Sequence, residues 1–308
     1  MCTSAFSSGA CRTSACAHLL LLCCCSRSLL ALRACRAASG EGELGDTVLE
    51  QRANAPLFRL CAPAVVQNLV LDLCGFRECL SIEGDARCTP LVEGCKIRCS
   101  GDHAVVCAGA CAPTLRACDV GARKAGFLLL GTSQPAIADC TISGCDQQGV
   151  RAADASWPRL QRCRIVDNAA EGVVAMDNAG VELLGCTLSG NKGPGVDISG
   201  GAHVAMADCR VADNAGGLFL WDTATAALQR CSLAGGVHHA LLADARTRPH
   251  ATACTLAGDV MALSDDAGAG VLGAGGDNTL LPSTPRPATL PSEEGCFKFE
   301  ADRFLRKQ

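Results

Sequence analysis

Residues 160–175 read LQRCRIVDNAAEGVVA and residues 183–198 read LLGCTLSGNKGPGVDI: in both, Cys is followed by an aliphatic two places on, Asn five on and Gly nine on. Working outward, the same Cys-x-aliphatic triplet opens at Cys95, Cys118, Cys140, Cys163, Cys186, Cys209, Cys231 and Cys254, at intervals of 22 or 23 residues. A period of this size means stacked supersecondary units, none of which buries its apolar face without a neighbour. Pro recurs five places before Cys at 90, 113, 135, 158 and 249, and an apolar residue three before it, as in Leu115, Ile137, Leu160, Leu183, Met206 and Leu228. After the Asn row of Asn168, Asn191 and Asn214, a Gly opens a second alternating run: Gly149-Val150-Arg151-Ala152, Gly172-Val173-Val174-Ala175, Gly195-Val196-Asp197-Ile198 and Gly217-Leu218-Phe219-Leu220. Alternation with period two predicts strand, and Gly, Asn, Asp and Pro punctuate each repeat too often for a helix.

Three short strands per repeat, stacked coil on coil, predict an all-β chain: a single right-handed parallel β-helix of about nine to ten coils, roughly 45 Å long at the usual strand spacing. A leucine-rich repeat is the nearest rival. It asks for an apolar residue two past the Asn, where this chain has Ala170, Gly193 and Gly216. Composition agrees with a narrow lumen, since 49% of residues are hydrophobic but only 3% aromatic. A net charge of −4 and a pI near 5.9 give no electrostatic footprint for nucleic acid. Arg116, Arg162, Arg164, Arg210 and Arg230 fall in register, but Asp119, Asp139 and Asp208 are interleaved, as on a solvated face.

The repeat Pro-x-aliphatic-x-x-Cys-x-Ile-x-x-Asn…Gly-Val-x-Val resembles those of the pectin-lyase-like superfamily across residues 55–275. It is most like the β-helix region of F-box-only substrate receptors and of alginate-epimerase-like proteins. The resemblance implies either a non-catalytic protein-interaction module, a receptor or adaptor in ubiquitin-dependent turnover, or a polysaccharide lyase or epimerase-like enzyme. The first is the expectation carried forward, with a protein partner and no cofactor.

Residues 1–43 are expected to lie outside the rod, residues 44–281 to form it, and residues 282–308 to be a Pro-rich linker with a charged tail. The first 40 residues hold no Asp or Glu, and their apolar run from His18 to Cys25 is too short to span a bilayer. Three readings stay open: an organellar transit peptide, a secretory signal, or, because Leu29 to Ala38 resembles the second half of an F-box, a remnant of that domain. Cys23-Cys24-Cys25 is also a candidate for acylation. Of 24 cysteines, seven precede residue 40 and 17 follow it. With no Asn-x-Ser/Thr sequon, this points to a reducing intracellular compartment, cytoplasm or nucleus, or an organelle if the leader is a transit peptide.

The Cys row is read as small apolar groups stacked in a core. No C-x-x-C pairing suggests zinc, and side chains in parallel register point the same way, against disulfide closure. The Asn row should bond along the rod. Asp154, Asp177, Asp222 and Asp244, with Gly200 between, form a column that could hold Ca²⁺, or could serve a turn needing an Asx bond or positive φ. Outward on the second alternating strand are expected Val105, Leu128, Arg151, Val174, Asp197, Phe219 and Leu241, of which only Asp197 is acidic. This row, with Trp221 at its end, is too apolar for a solvated strand. Val174, Phe219, Trp221 and Leu241 are the candidate partner face, unless the chain covers them itself.

Overall fold

The computed structural model describes residues 30–33, 47–51, 55–262 and 277–282, and among them every regular element is a strand. The strands fall into three parallel sheets of ten, eleven and ten members, and each coil contributes one strand to each sheet in turn. The first sheet runs from Leu30–Arg33 and Ala64–Gln67 through Arg159–Gln161 and Gly180–Leu184 to Arg248–Thr252. The second includes Arg164–Val166, Thr187–Ser189 and Arg210–Ala212. The third includes Val150–Ala152, Val173–Ala175, Pro194–Ile198, Gly216–Leu220 and Leu241–Ala243. The chain is thus a parallel β-solenoid of about nine turns, in which almost every strand is paired above and below.

One coil shows why the pattern works. Leu160, Ile165, Val173 and Ala175 all point into the lumen and are fully buried. Each Leu, Ile or Val so buried contributes about 1.5 to 3 kcal/mol, and the same positions in the next coil stack directly on them. At the corner between the first and second sheets the chain must turn through a positive φ, at 55° for Asp139, 50° for Arg162, 61° for Gly185 and 55° for Asp208. The following Cys fills the bend. Its thiol is more than a small apolar group. Cys163, Cys186 and Cys209 donate Sγ–H to the Ile137, Leu160 and Leu183 carbonyls of the preceding coil, at 3.4, 3.5 and 3.3 Å. In return Cys209 Sγ accepts the Cys186 N–H at 3.4 Å. Among the described cysteines only Cys61 and Cys74 are exposed, and none is in a disulfide.

The second corner holds the Asn row. Asn168 Nδ2 donates to Asn191 Oδ1 at 2.9 Å and Asn191 Nδ2 to Asn214 Oδ1 at 2.8 Å, while the backbone N–H of Asn168 and Asn191 reach the same oxygens at 3.1 and 3.0 Å. The Gly that follows is required by this packing. A Cβ on Gly172 would sit 2.6 Å from Gly195 O and 3.0 Å from Asn191 Nδ2.

One expectation about the ends changes. Leu30–Arg33, in the segment expected to stand apart, pairs in parallel with Ala64–Gln67, so the rod takes in one strand from before residue 44; Thr47–Gln51, within the expected bounds, pairs with Leu69–Leu73. The parallel sheet simply continues wherever an apolar stretch can add to its open edge. At the other end, Thr279–Leu281 pairs with Thr255–Ala257. The His18 to Cys25 run, most of the F-box-like stretch and the tail beyond residue 282 lie outside the described residues. No helix among the described residues is long and apolar enough to cross a membrane.

Candidate functional site

The outward row of the third sheet, read from strand pairing, is Val106, Leu128, Arg151, Val174, Asp197, Phe219, Leu242 and Met261. Val105 and Leu241, expected outward, point into the lumen, and Leu241 is 0% exposed. The cause is the unequal coil length. The segment from inward Leu233 to inward Leu241 is one residue longer than that from Val211 to Leu218, and a one-residue slip moves a strand's side chains to the opposite face. Nor is the partner face an exposed stripe: Val174 is 8% and Phe219 6% exposed, and Trp221 is half-buried. The outer end of the row, with Met261 40% exposed, is the open part.

What the row builds instead is a buried surround for Asp197. Its carboxylate lies between Val174 on one coil and Phe219 on the next. Trp221 stands edge-on to Phe219, ring centres 6.2 Å apart at 89°, and donates Nε1–H to Asp197 Oδ1 at 2.8 Å. Phe219 in turn lies over Gly216, where a Cβ would meet its Cζ at 2.5 Å. Burial against these apolar neighbours, reinforced by the negative charge of Glu171, pushes the Asp197 carboxyl up to about 7; the Trp221 hydrogen bond acts the other way and is outweighed. Glu171 is itself positioned by Gln148, whose Nε2 donates to Glu171 Oε2 at 3.0 Å. Arg151 shares the row two coils from Asp197, its Nη2 against Met176 Sδ at 3.5 Å. The site therefore offers one carboxyl able to hold or release a proton near neutrality, a second carboxylate beside it and a guanidinium along the rod.

Sequence reading recognised Asp197 as the lone acid of the row and placed Trp221 at the row's end, but did not join the two and passed over Glu171. Glu171 comes from the preceding corner and Trp221 from beyond the strand end, and neither shares the row's periodicity. The signal available was Gly216-Gly217 ahead of Phe219, a site of close approach.

The Asp column is a turn device. Asp154 and Asp177 have φ of 58° and 60°, Gly200 takes 71° at the equivalent place, and Asp222 has 58°. Each carboxylate caps the coil before it: Asp154 Oδ2 accepts Gly131 N–H at 2.8 Å, Asp177 Oδ2 accepts Asp154 N–H at 3.2 Å and Asp222 Oδ2 accepts Gly200 N–H at 3.0 Å. Asp244 does not belong to the column. Pairing of Leu220 with Ala243 brings it level with Trp221, and its carboxylate takes the Ala245 N–H at 2.6 Å. Among the described residues no three His, Cys, Asp or Glu side chains converge as metal ligands do.

Comparison with curated proteins finds no match. Among solved structures the chain is similar to the crystal structure of pectate lyase Pel9A, at 10% identity and a TM-score of 0.45 over 78% of this chain and 67% of that one. It is also similar to the periplasmic alginate epimerase AlgG, at 9% identity and a TM-score of 0.40 over 73% of this chain and 61% of that one. Neither likeness bears on activity. The model of the right handed beta helix region matches residues 78–233 and 155–276, most of the described rod, and the chain belongs to that family.

Proposed function

We propose that the chain is a carbohydrate-active β-helix protein whose cleft is the outer face of the third sheet, with Asp197 as its proton-transfer group. The observation that supports this is a carboxyl held near neutrality on that face, at about 7, by burial and by Glu171. A group with that affinity can protonate a glycosidic oxygen or, ionised, take a proton from a sugar carbon, and either step is most efficient when the group titrates close to working pH. Arg151, two coils or about 10 Å away along the rod, would hold the carboxylate of an acidic sugar in the same cleft.

The test is incubation with polygalacturonate and with alginate, following new reducing ends, unsaturated products and epimerised residues. We expect turnover whose pH profile bends near 7 and is lost in Asp197→Asn. Absence of all three products, or turnover that survives Asp197→Asn, overturns the proposal.

A second reading, a non-catalytic interaction module of the F-box-only type, is favoured by the open apolar end of the same row at Leu242 and Met261. It requires that Met261→Asp release copurifying proteins while Asp197→Asn retains them.

A further inference from the structure

The first sheet carries a separate arrangement on another side of the rod. Trp157 ends the turn that leads into Arg159–Gln161, and its indole lies down on the next coil across Gly180. A Cβ on Gly180 would fall 2.3, 2.4 and 2.6 Å from the ring carbons Cε3, Cζ3 and Cδ2, so the ring occupies the place of a side chain. Its Nε1–H donates to Glu182 Oε1 at 3.1 Å, and Arg159 Nε donates to Glu182 Oε2 at 2.6 Å. Those two bonds, Arg159 foremost, hold the Glu182 carboxyl below its usual range. One coil further, the His203 ring lies 6.2 Å from the indole, tilted by 33°, and its Nδ1 is bonded to Thr225 Oγ1 at 2.8 Å. Pinned on all these sides, the indole is still 44% exposed.

The surroundings continue the shelf. Gly180, His203, Thr225 and Arg248 are in register, and beside them run Glu182, Ala205, Ala227 and His250. The two alanines leave the floor low next to the imidazole.

We propose that this face binds an extended chain of acidic pyranose units, one stacked on the outer face of Trp157 and the next ones passing over His203 toward Arg248. A fixed aromatic plane whose N–H is already engaged presents a stacking surface and little else, which suits the C–H face of a pyranose. Because the ring is immobilised beforehand, binding does not have to order it. Coils repeat at about 4.8 Å, close to the length of one pyranose residue, so successive sugars meet equivalent rows. Glu182 is already engaged by Arg159 and Trp157, and Arg248 at the far end of the row is the cation placed to meet a sugar carboxylate. The choice of an acidic sugar rests on the function proposed above; the platform itself makes no use of Asp197.

Affinity electrophoresis through gels containing polygalacturonate or neutral hydroxyethyl cellulose tests it. Wild type should be retarded by polygalacturonate, with affinity falling at least tenfold in Trp157→Ala and in Gly180→Val, which keeps the indole but lifts it. Trp157→Phe should keep most of the affinity. In Trp221→Phe, where Trp157 is the remaining one of two tryptophans, galacturonate oligomers should change the indole emission. Trp157→Ala retarded like wild type, or wild type retarded only by the neutral polymer, overturns the proposal. Loss of turnover in Asp197→Asn with retardation unchanged in Trp157→Ala would sink the platform and keep the catalytic cleft; lost retardation in Trp157→Ala with no turnover in wild type would do the reverse.

Discussion

Replacing Asp197 with Asn should stabilise the protein above neutral pH and leave it unchanged in acid. The folded carboxyl titrates at about 7, while an unperturbed aspartate titrates near 3.9, and about three units correspond to roughly 4 kcal/mol at most. The carboxyl is partly accessible, and water screening reduces the effect to about 2 kcal/mol. Since the folded-state pKa is the higher one, the folded protein binds the proton more tightly than the unfolded chain. The resulting stability is fully present below about pH 4 and is lost as pH rises through about 7. Asn is neutral throughout and keeps an oxygen for the Trp221 N–H. Urea denaturation at intervals between about pH 4 and 8.5, followed by tryptophan emission, should give wild-type and variant curves that coincide in acid and separate by about 2 kcal/mol above pH 8. Other groups titrate in both proteins and cancel in the difference. A difference that stays constant across the window would show that Asp197 is an ordinary solvated carboxylate, and the case for it as a proton-transfer group would fall.

Leu241→Ala should cost about 2 to 5 kcal/mol in urea denaturation, as a lumen cavity does, whereas Leu242→Ala, one residue on and facing out, should stay within about 1 kcal/mol; equal effects would refute the register. Asn191→Leu removes the acceptor of both the Asn168 N–H and its side-chain amide, and should lower stability by about 3 kcal/mol, while an exposed neighbour such as Lys192→Ala should be near neutral. Burial raises the Cys88 and Cys145 thiols to about 12 and 11, so at pH 8 a colorimetric thiol reagent should label the native rod slowly and the urea-unfolded chain fully; rapid native labelling would mean that the lumen opens.

The solenoid is legible because its determinants are local and repeated. Each of the middle coils shows Cys at the bend, Asn168, Asn191 or Asn214 at the next corner and a Gly after it, as where Asn191 and Gly195 crowd Gly172, and the period multiplies the signal. The register of the third sheet is less legible. Coils of 22 and 23 residues differ by one residue in a corner, and where no Gly anchors the strand, as at His239-Ala240-Leu241, nothing local says on which side the extra residue falls. Asp244 is misplaced in the same way, one position out of the Asp column because its coil is the longer one. The thiols were read as apolar fillers, and their hydrogen bonds to carbonyls of the preceding coil depend on the bend geometry set by Asp139, Arg162 and Asp208 at positive φ.

The two aromatic clusters show what a repeat cannot announce about itself. Trp157 and Trp221 occupy places that hold small residues in neighbouring coils: Gly180 follows Trp157 in its row, and Ser199 precedes Trp221. Each indole bends along the rod and reaches a carboxylate on an adjacent coil, Glu182 in one case and Asp197 in the other. Glu182 is also met by Arg159 and so stays ionised, on a face open to solvent. Asp197 has no such partner, sits between Val174 and Phe219, and is driven toward its neutral form. The same pair of side chains thus makes a fixed platform on the first sheet and a buried proton-holding carboxyl on the third, and the difference lies in whether a guanidinium or an aromatic ring occupies the remaining side of the carboxylate.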